Sequence, residues 1–493
     1  MANGTVTSVR ELLSKFEDEF IIIEKEVDPI DEIAGIQQAL QDSYALLFTN
    51  VKGFPDVRII GNAFSRSERV ARMFDVKEFR ELKFKCREAM KNPLPPQIVT
   101  DAPCQEVVHD IQEVDLPSML PVIRHTPDDS ARVFGGGIML VTGPVARNGS
   151  DLSFKRMHFR GKDWATIWMG PHEHVTDLFL SEFRGEKVPV TINIAPPPST
   201  LLVAAASFVH TIVPYGSDEL GFAGALQGAP VEIVKAKTVD AYAIANAEVV
   251  IEGYLTPERV WETSEAEEKG PFADREEAPD FFPEWHGYMG KTLRVFKFQA
   301  TAMTHREDPI FFTPHARSLE ADILTAPFRE ACFLELFDRL APGLVTDVNV
   351  MPGVASWAAF VIFQIKKRWP REEGLQKLLL SACFQHPILQ LAIVVDDDVD
   401  IYEPRDILWA LATRLDPDSI VLAPPRPDVF HGAYPAKRGI GIDATIPLSK
   451  KEAYKRPRFP TWIDLGKWIP SDVLEQAKSL QSDYAKMLAR TGH

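Results

Sequence analysis

The chain has 493 residues, of which 45% are hydrophobic and 25% are charged, a composition typical of a globular protein with more than one domain. Acidic residues outnumber basic residues 70 to 54, and the resulting net charge of −16 disfavours a nucleic-acid groove or a membrane-surface protein. The N-terminal segment contains acids and lacks an apolar core, so it does not resemble a signal peptide. The four cysteines (Cys86, Cys104, Cys332 and Cys383) are scattered. We therefore expect a cytoplasmic enzyme whose thiols stay reduced.

Residues 1–105 alternate helical and strand patterns, which predicts an α+β domain. Ser8 and Glu11 have the spacing of a capping box, so a helix is expected to run from there to about residue 20. Asp31 is placed to cap a second helix that ends near residue 45. Strands are predicted in 21–27 and 44–60, followed by one long amphipathic helix over 66–91. The Pro-rich stretch 92–104 is typical of a linker.

Residues 106–322 are predicted to be mainly β-structure, with helices near 174–184 and 217–227. Runs rich in β-branched and aromatic residues, separated by turns, favour a barrel or a strongly bent sheet. These runs are GIMLVTG, DLSFKRMHF, VPVTINIA, APVEIVKAK, AEVVIEGYL and LRVFKFQATAM.

Residues 323–493 return to an alternation of helices and strands, which indicates a sheet covered by helices. The predicted elements are helices near 327–341, 371–385 and 404–414, with strands at 354–365 and 388–396. An amphipathic helix over 470–490 is expected to serve packing or dimerisation.

The segment 151–175 (DLSFKRMHFRGKDWATIWMGPHEHV) contains the densest set of chemically useful side chains. On a strand, Leu152, Phe154 and Arg156 would share one face. A guanidinium among apolar neighbours is suited to binding a carboxylate with two parallel hydrogen bonds. An ion pair with a purely structural role explains the same pattern, and spacing alone does not decide between them.

Asp151, His174 and Glu219 are ligand types that suit Mn²⁺ or Mg²⁺. Their spacing is loose, and the PHEH segment that contains His174 is also consistent with an ordinary loop.

Several separate segments resemble the UbiD-type decarboxylases, a family that uses prenylated FMN. One is the Asp151, Arg156 and His174 pattern, and others are DELGFAG (218–224) before PVEIV (230–234) and the strand AEVVIEGYL (247–255). The two longest are IVVDDDVDIYEPRDILWALATR (393–414) and GIGIDATIP (439–447). Together these motifs cover essentially the whole chain.

The resemblance implies an α/β multidomain fold. It divides the chain into an N-terminal α+β domain (1–105), a central split β-barrel that binds the flavin (106–322), and a C-terminal α/β domain with a terminal helix that mediates oligomerisation (323–493). The assembly implied is a homodimer or a larger homo-oligomer.

The resemblance also implies prenylated FMN, supplied by a UbiX-type prenyltransferase and held through its phosphate by Mn²⁺ with K⁺ nearby. The implied metal ligands are Asp151, His174 and Glu219, although the family commonly has Asn at the first position. The further contacts to the cofactor would be Phe154, Lys155, Arg156, Lys366 and Lys367. An exposed strand end is the alternative interpretation of the two adjacent lysines.

The catalytic network of the family consists of an arginine with two carboxylates. Arg156 matches the arginine, which would hold the substrate carboxylate against the flavin. Glu284, in PEWHGY, matches the proton donor. Its apolar neighbours Phe281, Phe282 and Trp285 would favour the protonated acid that this role requires.

The second carboxylate is missing from its usual place, five positions before the donor, where this chain has Pro279. Asp280 could substitute for it, Asp274 in the segment GPFAD could be the motif acid, or the network could be limited to Arg156 and Glu284. The sequence leaves these three alternatives open.

The expected activity is therefore that of a carboxy-lyase. It would decarboxylate an aromatic or heteroaromatic carboxylate reversibly and without oxidation, through a covalent adduct with prenylated FMN. The alternatives are a partner-dependent or non-catalytic subunit of a multicomponent carboxylase, a decarboxylase of cinnamate-like acrylic acids, and a plain FMN oxidoreductase. Further pocket candidates are His210, Thr211, His315 and Leu319, whereas Trp168, Phe312 and Phe360 are expected in the core.

Overall fold

The computed structural model of the chain describes residues 5–170, 173–181, 183–206, 209–284, 286–351, 353, 359–386, 388–424 and 438–491. Trp285, expected near the proton donor, and residues 354–358, expected at the start of a strand, lie outside the described residues.

The N-terminal unit is built from short helices and strands. Its elements are α1 (Val9–Lys15), β1 (Phe20–Ile23), α2 (Glu32–Ala39), β2 (Ala45–Phe48), β3 (Arg58–Gly61), α3 (Ser67–Met73) and α4 (Leu82–Lys91). The predicted cap of α1 is confirmed, because the Ser8 side chain accepts a hydrogen bond from the Glu11 N–H at 3.1 Å. The predicted cap of α2 is wrong, since the Asp31 carboxylate binds Arg124 instead (2.8 Å). The long helix expected over 66–91 is two helices, with Asp75 in the left-handed region (φ 52°) just after α3, a conformation that an α-helix cannot continue.

The central unit contains most of the strands. They are β4 (Gln97–Val99), β5 (Val107–Asp110), β6 (Phe134–Thr142), β7 (Ser150–Phe159), β8 (Trp164–Ile167), β9 (Val188–Ile194), β10 (Glu232–Lys235), β11 (Tyr242–Ile244), β12 (Val249–Trp261), β13 (Asp280–Pro283), β14 (Met289–Lys291), β15 (Arg294–His305) and β16 (Ile310–Phe312). The helices are α5 (Leu116–Met119), α6 (His174–Ser181), α7 (Pro198–Ala204), α8 (Glu219–Gln227) and α9 (Ser264–Lys269).

The predicted barrel is confirmed as a closed, six-stranded antiparallel barrel. Its strand order is β12-β9-β6-β7-β8-β15, and pairing between β12 and β15 closes it. Closure leaves these strands without free edges, and β7 is held on both sides by β6 and β8. The strand that carries Asp151 and Arg156 is therefore a rigid part of the barrel wall.

Two short strands depart from the expected organisation. The supposed linker 92–104 contains β4, which pairs in parallel with β10. Strand β16 lies in the central unit by its place in the sequence, but it pairs with β3 and completes the N-terminal sheet in the order β1-β2-β3-β16. The N-terminal and barrel cores accordingly form one continuous hydrophobic cluster.

The C-terminal unit is a five-stranded sheet with helices. Its elements are α10 (Leu319–Leu340), β17 (Val345–Asn349), β18 (Phe360–Ile365), α11 (Leu375–Cys383), β19 (Leu391–Asp396), α12 (Pro404–Arg414), β20 (Ile420–Leu422), β21 (Ile440–Ala444), α13 (Ser471–Ser479) and α14 (Asp483–Thr491). The sheet order is β17-β18-β19-β21-β20, with β18, β19 and β21 parallel, as the helix–strand alternation predicts. Helix α10 crosses the boundary expected between residues 322 and 323, and the tail forms two helices instead of one.

Within the described part of the chain, no helix combines the length and the apolar character needed to cross a bilayer.

Candidate active site

Arg156 lies between two glutamates that come from distant parts of the chain. Its Nε and Nη2 donate to the two carboxylate oxygens of Glu262, at 2.9 and 2.8 Å, and its Nη1 donates to Glu284. Glu262 directly follows the barrel strand β12, and Glu284 directly follows β13. The structure therefore brings together one guanidinium and two carboxylates.

The network is removed from water. The side chain of Arg156 is 11% exposed and that of Glu262 only 1%. Burial raises the pKa of Glu262 to about 7, although the charge of Arg156 and the Leu293 N–H oppose this shift. The faces of Trp168, Phe281 and Phe282 lie 5.5, 5.1 and 5.4 Å from the guanidinium carbon, so aromatic rings complete the lining of the cation.

Glu284 is positioned by a tight turn in the PEWHGY segment. Its N–H donates to the Tyr288 carbonyl and its carbonyl accepts from the Gly287 N–H, both at 2.9 Å. Gly287 has a φ of 91°, a conformation that side chains other than hydrogen rarely allow. A Cβ on Gly290 would lie 2.6 Å from the Cγ of Glu284, so the two glycines let the carboxylate fold back toward Arg156.

A second cluster consists of Asp151, His174 and Glu219. One ligand atom from each residue lies within 4.8 Å of the others, and all three residues are buried. The Nε2 of His174 is buried without a hydrogen-bond partner among the described residues. Because buried polar atoms are nearly always paired, this arrangement of two carboxylates and an imidazole fits a divalent cation of the Mn²⁺ or Mg²⁺ type.

Local packing explains how residues so far apart in sequence meet in this cluster. The Ser150 hydroxyl donates to Asp218 at 2.6 Å and accepts from the Leu220 N–H at 2.8 Å, and these bonds fix the start of α8 beside β7. A Cβ on Gly149 would lie 2.4 Å from the Ser217 carbonyl, so glycine is required for this approach. The Leu152 N–H then donates to Glu219 at 2.7 Å.

Burial disfavours charge on each member of the cluster. It raises the pKa values of Asp151 and Glu219 above their usual range, and it lowers the pKa of His174 to about 4. A divalent cation would compensate the negative charge of these two carboxylates and so favour their ionised form.

Arg156 and Glu284 line the same cavity of about 270 Å³ as Asp151, His174 and Glu219, whereas Glu262 does not contribute to its wall. Strand β7 joins them, since residues 151–156 all contribute to the wall. Lys155 is fully buried and forms an ion pair with Glu173. Among the pocket candidates, His210 and His315 line the cavity, as does Trp168, which was expected in the core. Phe312 and Phe360 are core residues as expected.

The structure places other candidates elsewhere. Asp280 is half exposed and forms an ion pair with Lys291 at 2.8 Å, and Asp274 is exposed in a turn. Within the described chain, the carboxylates on Arg156 are Glu262 and Glu284. The structure therefore places Glu262 beside Arg156 in addition to Glu284, and it brings neither Asp274 nor Asp280 to the guanidinium.

The two adjacent lysines are also directed away from the cavity. Lys366 binds Asp397 at 3.1 Å, and Lys367 donates to the Ile446 carbonyl at 2.7 Å and to Glu373 at 3.0 Å. Their hydrogen bonds stay within the C-terminal unit, so a contact to a phosphate in this chain's cavity finds no support. Thr211 binds Gln385 (3.1 Å), and the Leu319 N–H binds Gln41 (2.6 Å); neither residue lines the cavity.

Models of one protein family match along the chain. They are the N-terminal domain (residues 13–85), the Rift-related domain (97–317) and the C-terminal domain (323–429) of the 3-octaprenyl-4-hydroxybenzoate carboxy-lyase family, UbiD. The model boundaries at 317 and 323 flank the start of α10.

Individual relatives agree with this match. Gallate decarboxylase of Lactiplantibacillus plantarum is 30% identical over 90% of this chain and 94% of its own length. An evolved dimeric form of the UbiD-class enzyme HmfF from Pelotomaculum thermopropionicum, solved with prFMN, is 28% identical with a TM-score of 0.79, covering 94% of this chain and 100% of that one. The 3,4-dihydroxybenzoic acid decarboxylase of Enterobacter cloacae is 28% identical with a TM-score of 0.80, covering 95% and 99%. The chain belongs to the UbiD family of decarboxylases.

Proposed function

We propose that this chain decarboxylates an aromatic or heteroaromatic carboxylic acid, reversibly and without oxidation, with prenylated FMN and Mn²⁺ bound in the cavity. The observation that carries this proposal is the shared cavity, in which Arg156 and Glu284 face the same space as the Asp151, His174 and Glu219 cluster. Relatives with this fold include enzymes named for gallate and 3,4-dihydroxybenzoic acid, which supports an aromatic acid as the substrate.

Asp151, His174 and Glu219 would hold the divalent cation, and through it the phosphate of the flavin. The Nε2 of His174, which has no hydrogen-bond partner among the residues that the structure describes, supports this role. We assign K⁺ to the same end of the cavity by analogy with the family. The bound prenylated flavin would supply an electron sink for the loss of CO₂.

Arg156 would bind the substrate carboxylate. A guanidinium has five N–H donors, and three are engaged by Glu262 and Glu284, so within the described part of the chain two remain for the substrate. A carboxylate bound there would be held by charge-assisted hydrogen bonds inside a water-poor pocket.

Glu284 would supply the proton. Decarboxylation exchanges the carbon–carboxylate bond for a carbon–hydrogen bond, so one proton must reach the carbon for each CO₂ released. Glu284 is placed beside Arg156, where the carbon that loses CO₂ would lie. Glu262 holds Arg156 in place, and it titrates near neutral pH because burial raises its pKa to about 7.

Glu262 also bears on the alternative of a non-catalytic subunit. That alternative was motivated by the missing second carboxylate. Because Glu262 and Glu284 both bind Arg156, the single chain holds an arginine with two acids. We therefore favour an enzyme that is active without a second type of subunit.

The proposal is tested by expressing the chain with and without a UbiX-type prenyltransferase and measuring the mass of the bound flavin. The two preparations are then incubated in D₂O with a panel of phenols, indoles, pyrroles and furans. We expect deuterium to enter at least one aromatic compound only with the prenylated cofactor. Exchange with ordinary FMN alone would instead indicate a plain flavin enzyme, and absence of exchange in both preparations would refute the proposal.

A further inference from the structure

Two histidines meet on the barrel sheet, outside the cavity. The Nε2 atoms of His109 and His305 lie 3.0 Å apart, the two rings stack with an interplanar angle of 20°, and neither residue lines the cavity. The pair links β5 to β15, and β5 is the last strand in the seven-strand order β12-β9-β6-β7-β8-β15-β5. A strand at the end of a sheet is held from one side, so a side-chain link at this place bears directly on its attachment.

The ring of His305 is oriented by a backbone carbonyl. Its Nδ1 lies 2.7 Å from the carbonyl oxygen of Arg306. A carbonyl oxygen can only accept a hydrogen bond, so this Nδ1 carries a proton. The Nε2 of the neutral ring then has a lone pair, and this lone pair faces His109. Burial lowers the pKa of His305, which keeps the ring neutral at physiological pH.

A carboxylate lies on the outer side of His109. The Oε2 of Glu113 is 3.9 Å from the Nδ1 of His109, and a negative charge there favours the tautomer that carries its proton on Nδ1. In this tautomer the Nε2 of His109 also has a lone pair, so two lone pairs face each other at 3.0 Å. The opposite tautomer would allow a hydrogen bond between the rings, but it would turn a bare Nδ1 toward the carboxylate. A positive ion between the two Nε2 atoms satisfies both rings at once.

The separation of the two Nε2 atoms suits two ligands of one metal ion. Zn²⁺ holds imidazole nitrogens at about 2.0–2.1 Å, and with angles between 90° and tetrahedral two such nitrogens lie about 2.8–3.4 Å apart. Histidines that bind a metal donate their other N–H to a carbonyl or a carboxylate, the two kinds of group that face the Nδ1 atoms of His305 and His109. The negative charge of Glu106 also acts on His305, and together with water this carboxylate would complete the coordination.

We propose that His109 and His305 bind one transition-metal ion of the Zn²⁺ class, which fastens β5 to β15. Imidazole ligands suit Zn²⁺, Cu²⁺ and Ni²⁺, whereas Mn²⁺ binds least tightly in that series. The site is therefore distinct from the cluster of Asp151, His174 and Glu219, whose carboxylates suit Mn²⁺ or Mg²⁺. Strand β5 follows the segment that leads from the N-terminal unit into the barrel, so the ion stabilises the place where the chain enters the barrel sheet.

Titration with Zn²⁺ tests the site in the full-length chain after its metal has been removed with a chelator. His109→Gln and His305→Gln should each bind one Zn²⁺ fewer than the wild type in a calorimetric titration. His158→Gln is the matched control and should bind as many as the wild type. The Nδ1 of His158 also faces a backbone carbonyl, that of Arg132 at 2.9 Å, but its ring contacts Phe281 and not a second histidine among the described residues. Thermal melting checks the folding of every variant.

Hydrogen exchange on the wild-type chain tests the same site without a substitution. Zn²⁺ should slow the exchange of the backbone amides in β5, because the bound ion opposes local opening of this strand. Strand β4, at the end of another sheet, should exchange at the same rate with and without Zn²⁺. Equal Zn²⁺ binding by the wild type and both histidine variants, or unchanged exchange in β5, would overturn the inference.

Discussion

Glu262 accepts two hydrogen bonds from Arg156, one on each carboxylate oxygen, at 2.9 and 2.8 Å, although it lies 106 residues further along the chain. The pair is buried, and Glu262 is anchored in turn by the Leu293 N–H at 2.7 Å. Two parallel hydrogen bonds fix both the position and the plane of a guanidinium. Glu262 therefore determines where Arg156 can present its remaining donors to a substrate.

The first prediction concerns Glu262→Gln, which removes the paired carboxylate–guanidinium hydrogen bonds. The NH₂ group of the new side-chain amide would face an N–H donor of Arg156, with which it cannot form a hydrogen bond. The buried guanidinium of Arg156 would also lose the negative charge of Glu262. We expect kcat/KM to fall by at least about 100-fold, a magnitude typical of losing a positioned charged group. Because Glu262 titrates near pH 7 and binds Arg156 best as a carboxylate, wild-type kcat/KM should rise with pH through about 7. The rise of kcat/KM with pH near 7 should be absent in Glu262→Gln.

Glu267→Gln provides the control for this experiment. Glu267 forms an ion pair with Arg160, the residue that follows the strand of Arg156, but its side chain is 56% exposed. Activity close to that of the wild type is expected there. If Glu262→Gln had a wild-type rate and pH profile, Glu262 would have no role in holding Arg156 for catalysis.

The second prediction separates the proton donor from the acids near it in sequence. Glu284→Gln should nearly abolish decarboxylation and the solvent-deuterium exchange of product, because the amide cannot donate an acidic proton. Asp274→Asn and Asp280→Asn should both keep near wild-type activity, since neither carboxylate reaches Arg156. A normal exchange rate in Glu284→Gln would show that another group delivers the proton, and inactivity of Asp280→Asn would restore that residue to the network.

The comparison of these acids shows how far the sequence could predict the site. Asp151, Arg156, His174, Glu219 and Glu284 were all identified from motifs, and the structure gathers them around one cavity. Glu262 was missed because its partner Arg156 is remote in sequence. It is also followed by a run of acids, of which Glu284 is the one that reaches Arg156 among the described residues. The one signal in the sequence is its position directly after Trp261, at the end of the long strand β12. The pattern of residues does not specify which acid a strand end will bury.

The fold was predictable to a similar extent. Runs of β-branched residues gave the barrel strands, because local composition reports strand formation. The membership of β16 in the N-terminal sheet was not predictable, since a three-residue strand carries little pattern and its partner β3 is about 250 positions away. The hydrogen bonding of Lys367 was not predictable for the same reason, because its acceptor, the Ile446 carbonyl, lies 79 positions further along the chain.

The third prediction concerns the metal cluster. In the presence of FMN, the wild-type protein should bind Mn²⁺, and Mn²⁺ at about 100 times its dissociation constant should stabilise the fold by about 2.7 kcal/mol. Glu219→Gln and His174→Ala should lose both effects. Asp151→Asn should retain binding, because an Asn carbonyl oxygen remains a suitable ligand for Mn²⁺, whereas Asp151→Ala should not.

Metal content after dialysis, together with thermal melting, measures this prediction. Lys366→Ala is the control, since Lys366 pairs with Asp397 outside the cavity. Wild-type metal content in Glu219→Gln would contradict the assignment of the cluster.

The fourth prediction concerns assembly. Residues 454–480 expose several large apolar side chains, including Trp462 and Trp468, each 79% exposed, and Leu480 at 81%. Exposed apolar groups so closely spaced are typical of a surface covered by another molecule, and we propose a second copy of this chain as that molecule. The double variant Trp462→Ser/Trp468→Ser should shift the mass measured by light scattering toward the monomer. Tyr44→Ser, which removes a half-exposed aromatic residue elsewhere, should not. A monomeric wild type would refute the proposal.

The fifth prediction uses the buried carboxyl of Glu320 in the first turn of α10. It is fully buried, it accepts the Phe64 N–H at 2.8 Å, and burial raises its pKa from 4.5 to about 7, opposed by that hydrogen bond and by the charge of Arg69. Below about pH 4.5 the acid is protonated in both the folded and the unfolded chain. As the pH rises toward 7, the unfolded chain releases this proton before the folded chain does, so the free energy of unfolding should fall. The loss should reach about 3 kcal/mol and should be complete above pH 7.

Glu320→Gln keeps a neutral group that can still accept the Phe64 N–H, so this part of the pH dependence should disappear. The melting temperature of the variant should thus rise relative to the wild type as the pH is raised from 4.5 to 8. Glu68→Gln, at an exposed position on α3, should follow the wild type throughout. Parallel melting curves for Glu320→Gln and the wild type across this range would show that Glu320 ionises in the folded protein at an ordinary pH.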